Sequence, residues 1–201
     1  MAITTYGELQ TAVKNWIHRA DLDAYIPDLI TLGEARIMRE VRARPMETAF
    51  SDTIASGVIA LPDSYLELKY AYINQTPVQW LKRQKAQFIY EKYPTRSAAN
   101  VPKYISREGS NFIFGPYPAS TYPVAGVYYK DIGPVSSSAH ALFTENPDLY
   151  LFAALCETEP FIKNDKRVAL WEQKYQKIKA DVNGLRDRED LSGSDLQMVS
   201  S

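Results

Sequence analysis

Cysteine is almost missing from this sequence: Cys156 stands alone among 201 residues. That excludes an intramolecular disulfide framework and makes a reducing cytoplasm the expected compartment. Histidine is nearly as scarce, with only His18 and His140. No Cys/His cluster for a structural zinc follows, and few bases are on hand for nucleophilic catalysis. The nine glycines never fall into Gly-x-Gly-x-x-Gly or Gly-x-x-x-x-Gly-Lys, so no phosphate-cradling turn and no nucleotide cofactor is expected. No apolar run approaches about 18 residues, and Met1 to Glu8 lack a basic region followed by an apolar stretch. Neither a membrane span nor an export signal is expected. A net charge of −1 gives no global attraction to nucleic acid or acidic lipid, leaving such contacts to local patches.

What is present suffices for a core. The chain is 45% hydrophobic and 23% charged, and a chain of this size buries about 70% of its unfolded surface. Composition switches twice along it: residues 46–138 hold most of the prolines and ten of the fourteen tyrosines, while both flanks show helical periodicity. The fold class expected is α+β. A helical bundle core is drawn from 1–45 and 139–190, with a small antiparallel β-rich unit inserted over 46–138 and an extended tail over 191–201.

Thr5-Tyr6-Gly7-Glu8 has capping-box spacing, and Leu9, Val13, Trp16 and Ile17 recur on one helical face behind it. A second helix, with Pro27 in its first turn, is predicted to run to about Arg44 before Pro45 and to bury Ile26, Ile30, Gly33, Ile37 and Val41. In the insert, Leu66, Leu68, Tyr70 and Tyr72 alternate with polar residues as a strand with one buried face does. Ser56-Gly57 and Gly109-Ser110-Asn111 read as hairpin turns, Val124 to Lys130 as a strand, and Lys82 to Tyr93 as a helix. Thr95 to Pro102 reads as a polar loop. Asn146-Pro147-Asp148 opens a helix whose run Leu149 to Cys156 is apolar on all sides and calls for burial. Beyond Asn164, the residues Val168, Trp171, Tyr175, Ile178, Val182 and Leu185, spaced 3, 4, 3, 4, 3, form a helix seam for an intrachain partner or an oligomer. Asp190 to Ser201 has no cap and little apolar content, and reads as a segment that orders on a partner.

Few residues could carry chemistry. His18 falls at a helix C-terminus, where it favours the dipole. His140 sits in a serine-rich loop with no Gly-x-Ser-x-Gly elbow, and Cys156 lies in an apolar run that would leave its thiol inert. Paired carboxylates are the one catalytic alternative, since glycoside hydrolysis needs only an acid and a base or nucleophile and no histidine. Trp80, Lys82, Arg83, Lys85, Phe88 and Tyr90 mix bases and aromatics as single-stranded nucleic-acid grooves do, although an amphipathic helix explains them too. Arg36, Arg39, Arg42 and Arg44 form a basic helix end relieved by Glu34 and Glu40, which i,i+4 pairs and the helix dipole explain without a ligand, the alternative being an acidic partner surface or DNA.

The order of these features resembles the head-to-tail adaptor (head completion, neck) proteins of tailed bacteriophages. The resemblance is carried by Thr5-Tyr6-Gly7-Glu8-Leu9-Gln10 with Trp16 and by Ile26-Pro27-Asp28-Leu29-Ile30 with Glu34-Ala35-Arg36-Ile37-Met38-Arg39-Glu40. Leu61-Pro62-Asp63, Asn146-Pro147-Asp148-Leu149-Tyr150 and Gly193-Ser194-Asp195-Leu196 complete it. It implies a virion structural protein, not an enzyme; the alternative from a different class is a virion-associated peptidoglycan hydrolase. Such a structural protein forms a homo-oligomeric ring, commonly of twelve, below the portal protein in the virion neck, after assembly in the host cytoplasm. The insert would face a downstream tail protein (nozzle or tail tube). Leu191, Leu196, Met198 and Val199 would bind the portal, and Arg36, Arg39, Arg42 and Arg44 would meet a neighbouring subunit or the packaged DNA. Pro116-Tyr117-Pro118 and Tyr122-Pro123 correspond to no element of the family.

Overall fold

The computed structural model of the chain describes residues 2–95, 99–158, 161 and 166–191, with the backbone alone at 99 and 186–191. In chain order its elements begin with α1 (Tyr6–Ile17), α2 (Ile26–Glu40), β1 (Glu47–Ile54), β2 (Val58–Ala60) and β3 (Tyr65–Ile73). Then come β4 (Gln79–Trp80), β5 (Lys82–Arg83), α3 (Ala86–Lys92), β6 (Ala99–Asn100), β7 (Tyr104–Glu108) and β8 (Asn111–Gly115). The chain continues through β9 (Tyr117–Pro118), β10 (Tyr122–Lys130), α4 (Ala141–Glu145), α5 (Pro147–Cys156) and α6 (Lys166–Leu191). The architecture is α+β, in two compact units: Met1–Met46 with Ile132–Ser201, and Glu47–Asp131.

The helical unit is organised by α5. Residues Leu149 to Cys156 are all buried, and α1, α2, α4 and α6 all pack on this helix. A helix with no polar face has no other stable place. Helix α1 begins where expected: the Thr5 hydroxyl accepts from the Glu8 N–H, and the Glu8 carboxylate accepts from the Thr4 and Thr5 N–H groups. It buries Leu9, Val13 and Ile17, whereas Trp16 stays at the surface and meets Phe152 edge-on at 5.4 Å. Between α1 and α2 the chain makes a 3-10 turn over Ala20–Tyr25. Helix α2 crosses α5 at Gly33, where an added Cβ would sit 2.8 Å from the Ala154 nitrogen and 2.9 Å from the Ala153 carbonyl carbon. Gly33 facing two alanines lets the helix backbones approach this closely.

Helix α2 ends at Glu40 and not near Arg44, because Val41 is extended (φ −106°, ψ 137°). Asn183 explains the early stop. Its side chain accepts from the Arg42 N–H and donates to the Glu40 carbonyl, meeting backbone groups that a longer helix would pair itself. Helix α6 runs from Lys166 through Leu191, since propagation adds one hydrogen bond per residue once a helix exists. Leu196, Met198 and Val199 lie outside the described residues, and of Leu191 only the backbone is described.

The β unit contains two four-stranded sheets, ordered β1-β10-β3-β4 and β2-β8-β7-β5, and a two-residue parallel pair β6-β9. One apolar cluster draws on both large sheets: Ile54, Leu68, Ile73 and Val124 from the first, Ile59, Ile105, Phe112 and Phe114 from the second. Gly109-Ser110 closes the β7-β8 hairpin as expected. Ser56-Gly57 does not make a hairpin, because β1 pairs with β10 and β2 with β8; the turn passes the chain from one sheet to the other. Gly57 adopts φ +72° to do so, with Tyr117 and Pro118 side chains about its α-carbon.

Strand β3 departs from simple alternation. Tyr128 pairs with Leu68 but Val127 pairs with Tyr70, so Lys69 is an extra residue; likewise Tyr129 pairs with Glu67 and Lys130 with Tyr65, leaving Leu66 extra. Each bulge reverses the inward parity. Leu68, Ala71 and Ile73 are therefore buried, and the expected core residues Tyr70 and Tyr72 turn to the opposite face. Lys82 and Arg83 are also reassigned, from a helix to β5, because they pair in parallel with Tyr104 and Ile105. Only Ala86–Lys92 is helical.

The Gly33 crossing generates a paired expectation. Gly33→Ala lowers the stability of the helical unit by about 1–3 kcal/mol, because the atoms in the way are backbone. Gly184→Ala, on α6 with nothing within 4 Å of its Cβ position, raises it by up to about 1 kcal/mol. Urea unfolding followed by far-UV circular dichroism checks both signs.

Candidate functional site

The groups singled out for catalysis have structural places. His18 caps α1 in the left-handed region (φ 53°). His140 caps α4: its Nδ1 accepts from the Phe143 N–H at 3.3 Å, Nε2 lies 3.5 Å from the Tyr150 hydroxyl, and burial lowers its pKa. The Cys156 thiol is buried and hydrogen-bonded to Glu172; desolvation first, then that carboxylate, push its pKa up to about 12. A thiol so held is a poor nucleophile at neutral pH. Among the described residues no three His, Cys, Asp or Glu side chains are grouped as metal ligands, and no helix is long and apolar enough to cross a membrane.

The four arginines expected at a partner or DNA surface divide. Arg36 is held inside the helical unit. Its guanidinium makes two hydrogen bonds to the Glu172 carboxylate, at 2.9 and 2.6 Å, and a third to Glu40 at 3.3 Å, while its carbon lies 4.4 Å from the Tyr175 ring centre. Glu40 in turn accepts from Lys179 at 2.9 Å and from the Tyr175 hydroxyl at 3.2 Å. This fork ties α2 to α6 with the geometry that suits arginine and not lysine. The Arg36 hydrogen bonds hold the Glu172 carboxyl at about 2, well under its usual 4.5, and those to Glu172 raise the Arg36 pKa. Arg42 turns back on its own chain, donating to the Met38 and Val41 carbonyls. Arg39 and Arg44 are exposed.

The α6 seam is mostly an internal one. Trp171, Tyr175 and Val182 are buried within this one chain, Val168 and Ile178 are half-buried, and Leu185 is 54% exposed. Glu34 adds a tie that the sequence reading did not single out: this buried carboxylate on α2 accepts from the Val135 N–H at 2.9 Å, and desolvation raises its pKa against that hydrogen bond. A carboxylate among apolar neighbours in a helix pattern is the only sequence signal for it.

The basic-aromatic patch of the insert does not assemble as a single helix face. Arg83 donates to the Leu68 carbonyl and pairs with Glu67 at 3.5 Å. Phe88 packs on Tyr104, with Lys92 over both rings, and the Tyr90 hydroxyl donates to Glu108. Trp80 is 64% exposed and edge-on to Tyr70 and Tyr72 at 5.6 and 5.5 Å, and Lys82 and Lys85 are exposed as well.

Those three aromatics belong to a larger feature. By register, one face of the first sheet carries Ala49, Ser51 and Thr53 on β1 opposite Val127, Ala125 and Pro123 on β10, then Tyr70 and Tyr72 on β3 and Trp80 on β4. None of these nine bears a charge. The charged pair at the end of that face, Lys69 and Glu47, is joined at 2.9 Å. An open antiparallel face is ordinarily polar, so a neutral, aromatic-edged one is the most distinctive surface of the β unit.

Compared with known families, residues 4–198 match the family described as SU10 adaptor protein. A comparison with curated proteins finds no match.

The Arg36 fork sets a pH dependence. Glu172 titrates near 2 when folded against 4.5 as its ordinary value. Its contribution to stability is complete above the ordinary value and is lost as pH falls from about 5 toward 2. Glu172→Gln is expected to flatten that part of the stability profile, and Arg36→Met to lower stability by about 2 kcal/mol at pH 7. Urea midpoints measured between pH 3 and 7 test both; a Glu172→Gln profile parallel to the parent would contradict the assignment.

Proposed function

The chain belongs to the SU10 adaptor family, a phage head-to-tail adaptor family, and from that premise we propose that it works as a closed ring, most simply of twelve copies, joining the portal to the tail. Its role is that of a structural adaptor of the virion neck. The observation that carries the rest is the extent of the match. It begins ahead of α1, runs through both units and ends at residue 198, so the expected portal-binding segment is part of the family's shared chain.

In this reading the helical unit builds the ring. Arg39 and Arg44, exposed at the end of α2 and just beyond it, face a neighbouring subunit or the packaged DNA, while Arg36 is a strut within the subunit. Leu191, Leu196, Met198 and Val199 engage the portal, a mode suited to a short segment that gains order on binding. The uncharged face of β1, β10, β3 and β4 receives the downstream tail component. Desolvating neutral side chains avoids the penalty of burying unpaired charge, and an aromatic such as Trp80 makes an efficient anchor.

Electron microscopy of the purified protein mixed with its portal is expected to show rings coaxial with the portal. A chain ending at Asp190 is expected to lose at least tenfold in portal affinity, and undiminished binding would refute the role of the tail. Trp80→Asp is expected to leave fold and ring unchanged, because the side chain is exposed, and to block attachment of the tail component. Normal tail joining by that variant would remove the sheet face from the proposal.

A further inference from the structure

The helical unit contains a groove that the adaptor role does not use. It lies between the chain just after α2, the junction of α4 and α5, and the C-terminal half of α6, with a cavity volume of about 420 Å³. Ala43, Pro45, Ala141, Val182 and Leu185 give it apolar walls, and Arg44 stands on a rim shared with Glu145 and Asn146. Leu185 is the last position of the α6 seam, and more than half of its surface is open. All the lining residues belong to one compact unit.

Chain length and charge indicate the occupant. The described part of α6 ends at Leu191, six residues past Leu185, or about 9 Å along the helix axis. Ten residues follow it, able to span up to about 33 Å when extended. Ser192-Gly193-Ser194 comes first, and glycine there is suited to the left-handed cap that turns a chain back along its own helix. The five residues from Leu191 to Leu196 reach about 17 Å, more than the return to Leu185 requires. Leu196, Met198 and Val199 then bring apolar side chains to an apolar cleft, and Asp195, the one charged side chain of residues 192–201, favours the side of the rim where Arg44 lies.

We propose that this groove is a parking site for the chain's own C-terminal segment: before assembly, Leu196 and Met198 seat against Val182 and Leu185, and the portal draws them out. The proposal rests on the reading that the segment binds portal. Parking shields those side chains from solvent and lowers apparent portal affinity by the fraction of molecules with a free tail, about tenfold if nine molecules in ten are parked.

The test uses full-length protein carrying Ala141→Cys and Leu196→Cys, oxidised in dilute solution; the buried Cys156 thiol competes poorly. The expected result is a cross-link within one chain that disappears when portal is added before oxidation. Its yield is expected to fall at least tenfold when Leu185→Asp, or separately Arg44→Glu, is added. On the parent background, Leu185→Asp is expected to bind portal about tenfold more tightly. Absence of the cross-link, a cross-link between two chains only, or a yield indifferent to both groove variants would overturn parking. If the intrachain cross-link forms but the chain ending at Asp190 still binds portal fully, the portal reading fails while parking stands.

Discussion

A helix with no polar side must be covered on every side, and α5 imposes that condition on the helical unit. Eight consecutive buried residues, Leu149 to Cys156, include four large side chains of the kind worth about 1.5–3 kcal/mol each on burial. No single partner can cover them. Helices α1 and α2 from one end of the chain and α4 and α6 from the other therefore close on α5, which brings the two ends of the sequence together while the residues between them form a separate unit. The close approach at Gly33 and the fork from Arg36 to Glu172 follow from that arrangement. The first lets α2 touch the α5 backbone, and the second locks α6 over both.

This packing changes the meaning of the charges. Arg36, Arg39, Arg42 and Arg44 look alike in sequence, yet one is a buried-side strut, one folds back on the carbonyls of its own helix end, and two point outward. Their difference is one of partner supply: α6 places Glu172 opposite Arg36, whereas Val41 leaves the helix and turns Arg42 toward the carbonyls that helix termination exposes. In the β unit the reverse occurs. Residues that read as core, Tyr70 and Tyr72, become part of the outer surface and, with Trp80, edge a sheet face that carries no charge.

The features legible in the sequence were those set by short-range physics. The Thr5–Glu8 cap, Pro27 in the first turn of α2, the Gly109-Ser110 hairpin and the start of α5 at Pro147 all depend on neighbours within a few residues. The misreadings share an opposite cause. Helix α2 ends at Glu40 because Asn183, far along the chain, takes over its terminal backbone groups. Ser56-Gly57 joins two sheets because β10 and β8 outcompete a local hairpin. Lys82 and Arg83 follow β7 instead of the helical propensity of the residues after them. The bulges at Leu66 and Lys69 are visible only in the register against β10.

Composition, caps and periodicity by themselves determined the α+β class, the buried α5, the start of α1 and the helical character of the seam, and the order of those signals pointed to the phage adaptor family. Which arginines are exposed, which tyrosines face outward and where an apolar groove stays open were decided only in three dimensions. A side chain's local preference is encoded by its neighbours in sequence, but its exposure depends on whether a distant segment arrives to cover it, and that is a property of packing.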